Sequence, residues 1–229
     1  MIRLDALAVH PVKSTAVRHV LHADVEPWGL RDDRRWMVVD ASGECLTARE
    51  HAPLLTIRAE TPTTDPGLPV PLRLFAAGHP SLDVDEPMGD VLPVTVHGRP
   101  LDAVAAPAGS AAWLAAALGR DDARLVHLHR PRPLNPEHSL PGEATAFADA
   151  YPVTLASAAS LRRLDDWVTQ GALERGEDQR HPMAVERFRP NLVVDGDLEP
   201  FEEDHWRRVQ VGAVSFRVVK QVDRCVLTT

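Results

Sequence analysis

The sequence predicts a mainly β fold (α+β) with a few short helices, and three observations lead to this prediction. Short segments of roughly alternating apolar and polar residues fill the first hundred positions, and such alternation is typical of half-buried strands. Pro and Gly cluster between residues 61 and 93, where they indicate loops and sheet edges. Only two segments carry helical features. Many short strands with few helices favour barrels or sandwiches with appended helices.

The predicted strands are short, and most of them lie in the first half of the chain. They cover residues 3–10, 19–26, 35–40, 45–48, 54–60, 71–77, 92–98 and 123–128. The third and fourth of these form a predicted hairpin around Gly43. A second predicted hairpin, at residues 208–222, turns at Gly212 and Ala213.

Two helices are predicted. The first spans residues 110–119, with Ala and Leu inside it and Gly at its end. The second spans residues 157–170, and one of its faces carries apolar residues at helical spacing. These residues are Leu161, Leu164 and either Trp167 or Val168. No internal repeat occurs, and the chain is predicted to hold two domains, residues 1–120 and 121–229.

Composition excludes several classes of protein. A net charge of -8 without a basic run argues against nucleic acid as a partner. No apolar stretch approaches the length of a membrane span, and the N-terminus "MIRLDALAVHPVKS" lacks the apolar run of a signal peptide. Two cysteines are too few for a disulfide framework. We therefore expect a cytoplasmic protein with no nucleic-acid partner and no membrane partner.

The two cysteines differ in their sequence neighbours. Cys225 follows Arg224, whose positive charge favours the thiolate, the form that attacks electrophiles or ligates soft metals. The alternative is that Cys225 is a small buried apolar residue at the end of a Val-rich strand. Cys45 lies in the first predicted hairpin, and a structural role is favoured for it.

Several cationic residues are candidates for binding an anion. Lys13 and Ser14 follow the end of the first predicted strand. There they can either bind a phosphate or form a solvated turn. Three arginines of the first predicted hairpin can converge on an anion or pair with neighbouring carboxylates. These arginines are Arg34, Arg35 and Arg49, and the carboxylates are Asp32, Asp33 and Glu50.

The segment "ERFRPNLVV" reads as the entry to a strand. In extended backbone Arg187 and Arg189 point the same way, and Phe188 faces the opposite side. Asn191 is suited to hydrogen bonding with a flat heterocycle or to capping a turn.

Upstream, the Pro-rich stretch 129–152 has no periodicity, and long loops of this kind are often functional.

These candidates together suit one kind of ligand. Four residues could together bind an anion through their positive charges and hydrogen-bond donors, namely Lys13, Ser14, Arg34 and Arg189. Cys225 is a potential thiolate. Such a set fits a large anionic cofactor whose metal needs a soft ligand.

Five ordered segments resemble one known family. They are "HPVKS", "GLRDDRRWMVVDASGECLTARE", "RFRPNLVV", "PFEEDHW" and "DRCVLTT". In this order and spacing they resemble the MOSC (molybdenum cofactor sulfurase C-terminal domain) family with its N-terminal β-barrel domain. The resemblance extends to the branch of the mitochondrial amidoxime-reducing components and their bacterial relatives. It implies an N-terminal β-barrel-like domain followed by a MOSC β-barrel domain.

The resemblance also implies a cofactor, the molybdenum cofactor (Mo-molybdopterin), and its binding residues. It makes Cys225 the metal ligand and the catalytic residue. It places further residues against the cofactor, namely Lys13, Ser14, Arg34, Asp149, Ala150, Arg189, Asn191, Asp223 and Arg224.

The sequence departs from the family in two places. His10 stands where the family has Tyr before Pro11. Family members continue beyond the Thr-Thr pair that ends this sequence, so the resemblance implies a second domain that is incomplete at its C-terminus and an apparent truncation.

The expected activity is molybdenum-dependent reduction of N-hydroxylated compounds such as amidoximes, hydroxylamines and N-hydroxylated bases. The sequence has no CxxxxCxxC iron–sulfur pattern and no GxGxxG loop, so a separate electron donor is expected, such as a ferredoxin, a flavodoxin or a similar reductase. One alternative is a non-catalytic carrier of the cofactor or of its sulfur. Another is a small β-rich hydrolase with Cys225 as its nucleophile.

Overall fold

A computed structural model describes residues 1–177 and 182–223, and it confirms the mainly β fold. The described residues form short strands, three 3-10 helices and two α-helices, α1 (Gly109–Leu118) and α2 (Ala158–Glu174). The strands are β1 (Ile2–Val9), β2 (Arg18–His19), β3 (Val25–Glu26), β4 (Gly29–Leu30), β5 (Trp36–Val39), β6 (Arg58–Glu60), β7 (Leu72–Phe75), β8 (Leu82–Val84), β9 (Val91–Val96), β10 (Arg99–Ala105), β11 (Arg124–Leu128), β12 (Arg132–Pro133), β13 (Ala144–Thr145), β14 (Leu155–Ser157), β15 (Leu192–Gly196), β16 (Arg208–Val211) and β17 (Val214–Arg217). In these residues no helix is long and apolar enough to cross a membrane.

The chain divides into two compact units. The large unit is Val9–Pro152, and the small unit combines Met1–Ala8 with the described residues of Val153–Thr229. The domain boundary predicted near residue 120 stays a prediction.

The large unit is built on a four-stranded antiparallel sheet in the order β5-β11-β10-β9. Its strands carry β-branched and aromatic residues that suit a pleated, buried surface. Their buried side chains form one apolar cluster, which the segment after β13 completes. The cluster comprises Met37, Val39, Cys45, Val94, Val96, Ala103, Val126, Leu128, Ala146 and Phe147.

The hairpin predicted around Gly43 is confirmed. Val39 and Cys45 form an antiparallel bridge, and the Leu46 amide donates to the Val38 carbonyl at 2.9 Å. Gly43 has a φ of 86°, and a Cβ there would lie 2.7 Å from the Pro93 carbonyl oxygen. Only glycine fits this turn without moving the backbone.

The large unit also contains a second sheet and a helix. β6, β7 and β8 form an antiparallel three-stranded sheet, and α1 lies against β11 and β8. The helix predicted at 110–119 is confirmed, and it ends at Gly119 with a φ of 64°. A left-handed glycine at this position is a common helix end because it carries no Cβ.

The small unit contains a strand–helix–strand arrangement. β14 and β15 pair in parallel, β1 pairs with β15 antiparallel, and α2 lies against β14 and β15. Ser157 caps α2 because its Oγ accepts a hydrogen bond from the Ser160 amide at 3.0 Å. The sequence left open whether Trp167 or Val168 belongs to the apolar face of this helix. In the structure Val168 is half-buried and Trp167 is exposed.

Three other segments bear on the sequence predictions. The hairpin predicted to turn at Gly212 is confirmed, because Val211 pairs with Val214. The strand entry predicted at Arg187 and Arg189 is wrong, because Val185–Phe188 is a 3-10 helix and Arg189 ends it with a φ of 48°. The Pro-rich stretch 129–152 is not without structure, because β12 and β13 pair within it.

Candidate functional site

Two of the predicted site segments run side by side in the large unit. The Arg34 amide donates to the His10 carbonyl at 2.8 Å, and the Trp36 amide donates to the Pro11 carbonyl at 3.1 Å. In return, the Lys13 amide donates to the Trp36 carbonyl at 2.8 Å. These backbone bonds fix Lys13 next to Arg34, although the two residues are 21 positions apart in the sequence.

A third segment joins this pair. The Phe147 amide donates to the Arg34 carbonyl at 3.1 Å, and the Lys13 Nζ donates to the Phe147 carbonyl at 2.9 Å. The Lys13 ammonium also forms an ion pair with the Asp149 carboxylate. Lys13 is only 5% exposed, so its charge depends on these oxygen partners. The structure therefore brings Lys13, Arg34 and Asp149 together.

Two of the three arginines of the first hairpin, Arg34 and Arg35, pair with carboxylates, which is the second of the two outcomes that the sequence left open. Arg34 contacts Asp33, and both side chains are largely buried. Arg35 donates to Glu26 Oε2 at 2.6 Å, a partner that the sequence did not suggest. Arg49 is exposed. Asp33 also accepts a hydrogen bond from the His10 amide at 2.7 Å, so this carboxylate orders the predicted site.

Left-handed backbone marks several of the predicted site residues. Six described residues other than glycine have a positive φ, and Ser14 (67°), Arg34 (51°) and Arg189 (48°) are among them. Side chains with a Cβ rarely adopt this conformation, and such residues often lie at functional sites. The binding role of these three positions stays a prediction.

Arg132 belongs to this cluster, although the sequence analysis did not single it out. Its Nη2 donates to the Ala148 carbonyl at 2.6 Å and to the Asp149 carbonyl at 3.2 Å. The side chain is 7% exposed, and its Nε and Nη1 have no partner among the described residues. Burial, followed by repulsion from Arg99, lowers the pKa of the Arg132 guanidinium. Arg132 thus holds the backbone that carries Asp149.

His97 was also missed. It occupies the turn between β9 and β10, and its Nε2 lies 3.0 Å from Asp149 Oδ1. The sequence offers one signal for it, because His97 precedes Gly98 between two apolar strands, where a two-residue turn is expected. Its partner, 52 positions away, has no such signal.

Asp149 is ionised in this arrangement. Desolvation raises the pKa of its carboxyl, but attraction to Lys13 and hydrogen bonds from Lys13 and His97 hold that pKa well below its ordinary value. The Asp149 side chain is 70% exposed. Its carboxylate is therefore accessible to solvent while it contacts both the Lys13 ammonium and the His97 ring.

The titration of Asp149 tests these contacts. We expect its carboxyl 13C signal to titrate well below the ordinary value of about 3.9. Lys13→Met should raise this pKa more than His97→Gln, because Lys13 supplies the larger part of the lowering. Folding favours the ionised form, so its stabilisation is present above the ordinary pKa and is lost as the pH falls through the folded-state pKa. An ordinary titration of Asp149 in the wild type would contradict the contacts.

Cys45 has the properties of a structural residue. Its side chain is 3% exposed, and burial raises the pKa of its thiol to about 11. The thiol is therefore protonated at neutral pH, although Lys13 attracts its anion. This agrees with the role favoured from sequence.

Other predicted site residues belong to the small unit or lie outside the described residues. The buried amide of Asn191 accepts a hydrogen bond from the Thr154 amide at 3.2 Å and donates to the Ala8 carbonyl at 3.1 Å. This side chain therefore joins backbone segments on both sides of β15. Asp223 is exposed. Arg224 and Cys225 lie outside the described residues, so the predicted metal ligand is not placed.

The polar cluster of the large unit, formed by Lys13, Arg34, Arg132 and Asp149, is suited to binding an anionic group. Lys13 has three N–H donors, and two of them are used by the contacts described above. Arg132 adds a buried positive charge with unpartnered N–H groups in the described residues. Ala150, also predicted to approach the cofactor, follows Asp149 and is exposed. Buried cationic donors of this kind suit a phosphate-bearing ligand.

Comparison with known proteins gives two family matches. A MOSC N-terminal beta barrel domain matches residues 1–121, and a MOSC domain matches residues 142–229. Mitochondrial amidoxime-reducing component 1 of Xenopus laevis is 29% identical, over 99% of this chain and 65% of its own length. The protein of the same name from Homo sapiens is 28% identical, over 97% of this chain and 64% of its own length.

A second group of relatives has a different name. Molybdenum cofactor sulfurase of Danio rerio is 28% identical, over 97% of this chain and 27% of its own length. The chain thus spans less than two thirds of these two amidoxime-reducing components and about a quarter of this sulfurase.

Proposed function

Because the chain belongs to the MOSC family, with a MOSC N-terminal beta barrel domain followed by a MOSC domain, we propose that it is a molybdenum-dependent oxidoreductase. Its substrates are N-hydroxylated compounds such as amidoximes, hydroxylamines and N-hydroxylated bases. Relatives named amidoxime-reducing components support this activity, and they match almost the whole of this chain.

One structural observation carries the proposal. Lys13, Arg34 and Asp149 come from three distant segments that are hydrogen-bonded to one another. These segments were predicted from sequence to bind the same cofactor. A shared ligand accounts for both the buried Lys13 ammonium and the left-handed backbone of Ser14 and Arg34.

In this proposal the residues of the chain have separate roles. The Cys225 thiolate is the soft ligand of molybdenum, and the adjacent Arg224 favours that thiolate. Lys13, Ser14 and Arg34 bind the phosphate-bearing part of the cofactor as donors and positive charges. When bound, the cofactor supplies the two-electron reduction of the N–O bond.

Other predicted residues complete the proposed binding set. Arg189 presents its side chain from left-handed backbone, and Asn191 fixes the start of β15 beside it. Asp223 and Ala150 approach the cofactor in this proposal. The electrons come from a separate protein such as a ferredoxin or a flavodoxin, since the sequence lacks an iron–sulfur pattern and a nucleotide loop.

The test is anaerobic turnover. Protein made in a molybdenum-competent host should oxidise a reduced viologen dye when benzamidoxime is added, and benzamidine should form. Protein made with tungstate in place of molybdate is the control and should be inactive. A molybdenum-loaded protein that forms no amidine and no amine from any N-hydroxylated substrate would contradict the proposal.

The sulfurase relatives favour a second candidate, a carrier that binds the cofactor or its sulfur without turnover. The same residues bind the cofactor in both cases. Tight cofactor binding without turnover, together with transfer of the cofactor to an apoenzyme, would support the carrier instead of the reductase.

A further inference from the structure

Asp149 is the carboxylate partner of a lysine that is almost completely buried. Lys13 is 5% exposed, and its ammonium contacts the Asp149 carboxylate and donates to the Phe147 carbonyl at 2.9 Å. The same carboxylate oxygen lies 3.0 Å from the Nε2 of His97. A buried ammonium needs an anion beside it, because burial of an unpaired charge is costly. In the structure Asp149 supplies that anion.

The Asp149 side chain itself lies at the protein surface. It is 70% exposed, and its segment between β13 and β14 forms neither a strand nor a helix. The carboxylate can therefore turn into solvent without disturbing a strand or a helix. An anion that arrives from solvent can reach the place that Asp149 occupies beside Lys13.

Two arginines next to this ion pair have no ion pair of their own among the described residues. Arg132 is 7% exposed, and its Nη2 donates to the carbonyls of Ala148 and Asp149. Its Nε and Nη1 have no hydrogen-bond partner in the part of the chain that the structure describes. Arg99 is exposed at the start of β10. Burial, followed by the charge of Arg99, lowers the pKa of the Arg132 guanidinium.

Positive charge is therefore in excess around Asp149. The group has three positive charges, on Lys13, Arg99 and Arg132, and one negative charge, on Asp149. Asp149 is also the one carboxylate among the described residues whose charge acts on Arg132. The whole chain has a net charge of -8, so this excess of positive charge is local. A phosphate monoester matches it better than a carboxylate does, because it carries nearly two negative charges and three acceptor oxygens.

A phosphate group and the Asp149 carboxylate compete for the Lys13 ammonium. Two anions within hydrogen-bonding distance of one ammonium repel each other, and they do so strongly in a partly buried place. The phosphate is also attracted by the two arginines that lack a carboxylate partner. Asp149 loses less by leaving, because water solvates its carboxylate. The phosphate therefore replaces the carboxylate on the ammonium.

We propose that Asp149 is a displaceable counter-ion of Lys13, that a phosphate monoester takes its place on the ammonium, and that the charges of Arg99 and Arg132 stabilise this phosphate. The identification of the phosphate as that of the cofactor rests on the proposed function. Until the ligand binds, Asp149 keeps the buried ammonium charged and in position. No covalent bond forms or breaks in this exchange.

The first test uses protein without cofactor, with inorganic phosphate as the ligand. Lys13 and Lys220 are the only lysines in the sequence, so 13C-lysine-labelled protein gives two Cε signals. At constant ionic strength, phosphate should shift the Lys13 signal to saturation and leave that of the exposed Lys220 unchanged. The pKa of the Asp149 carboxyl should rise towards its ordinary value, because the ion pair is lost. An unmoved Lys13 signal, or an Asp149 pKa that stays low at saturation, would overturn the proposal.

The second test compares the Kd of phosphate among variants. Asp149→Asn should lower it by about tenfold, because a competing anion is removed. A Kd equal to or above that of the wild type would show that no displacement occurs.

The arginines are tested in the same assay. Arg132→Gln should raise the Kd by about tenfold. Because Arg132 is buried, the exposed Arg99 provides a second variant that spares the core, and Arg99→Gln should raise the Kd by about threefold. Arg124→Gln is the matched control, since Arg124 is exposed on β11 of the same sheet, beyond the far end of β10. An Arg99→Gln protein with the Kd of this control would contradict the role of Arg99.

The cofactor-loaded protein identifies the source of the phosphate. If the phosphate of the cofactor occupies the site, added inorganic phosphate should leave the Lys13 signal of the loaded protein unchanged. A loaded protein that binds inorganic phosphate as tightly as the cofactor-free protein would overturn the assignment to the cofactor.

The outcomes separate this inference from the proposed function. If the protein reduces N-hydroxylated substrates but phosphate does not displace Asp149, the counter-ion proposal is wrong and the proposed function stands. If phosphate displaces Asp149 but protein from a molybdenum-competent host holds no molybdenum, the proposed function is wrong and the phosphate-monoester site stands.

Discussion

Replacement of Cys225 by serine is expected to abolish N-hydroxyl reduction and to bring the molybdenum content to background. A thiolate is a soft ligand that molybdenum accepts, whereas the serine hydroxyl is harder and stays protonated at neutral pH. The measurements are metal content by mass spectrometry and turnover with a reduced dye, both on protein from a molybdenum-competent host.

Cys45→Ala is the matched control for this experiment. Cys45 is buried in the large-unit core, and its thiol is protonated at neutral pH because burial raises its pKa to about 11. The variant should retain molybdenum and activity. Equal loss in both variants, or full metal content in Cys225→Ser, would show that Cys225 is not the metal ligand.

Replacement of Phe147 by alanine is expected to cost about 3–5 kcal/mol of the free energy of unfolding. Phe147 is fully buried in the apolar cluster, so the change leaves a cavity. Its backbone also bonds to the Arg34 carbonyl and to the Lys13 Nζ, so the cavity lies beside the proposed cofactor site. We therefore expect a loss of bound cofactor in the variant protein that remains folded.

Chemical denaturation and cofactor content measure this effect. Leu21→Ala is the control, because Leu21 is fully exposed and its truncation should change stability by no more than about 0.5 kcal/mol. A Phe147→Ala protein with unchanged stability would contradict the packing described here. A variant with unchanged cofactor content would show that the segment around Phe147 does not contribute to the cofactor site.

Local patterns were sufficient for much of the fold. The hairpins at Gly43 and Gly212 were predicted because each turn needs residues that tolerate positive φ, and such residues are visible in sequence. Both helices were predicted because their spacing and ends are also local signals. The segment before Arg189 was predicted wrongly, since a short 3-10 helix has no strong pattern of its own.

The candidate site was only partly predictable. Lys13 and Arg34 were identified by residue type and by family resemblance, but their carboxylate partners, Asp149 and Asp33, could not be chosen among the acids of the sequence. Arg132 and His97 were missed because their roles come from contacts with Ala148 and Asp149, which depend on the folded chain. Pairings between distant segments have no periodic signal in a single sequence.

The central claim is that this chain binds molybdenum through its cofactor and a cysteine thiolate. The most direct measurement is the elemental analysis of protein purified from a molybdenum-competent host. The account predicts about one molybdenum atom per chain in the wild type and in Cys45→Ala, and none in Cys225→Ser. A wild type with no more molybdenum than Cys225→Ser would contradict it.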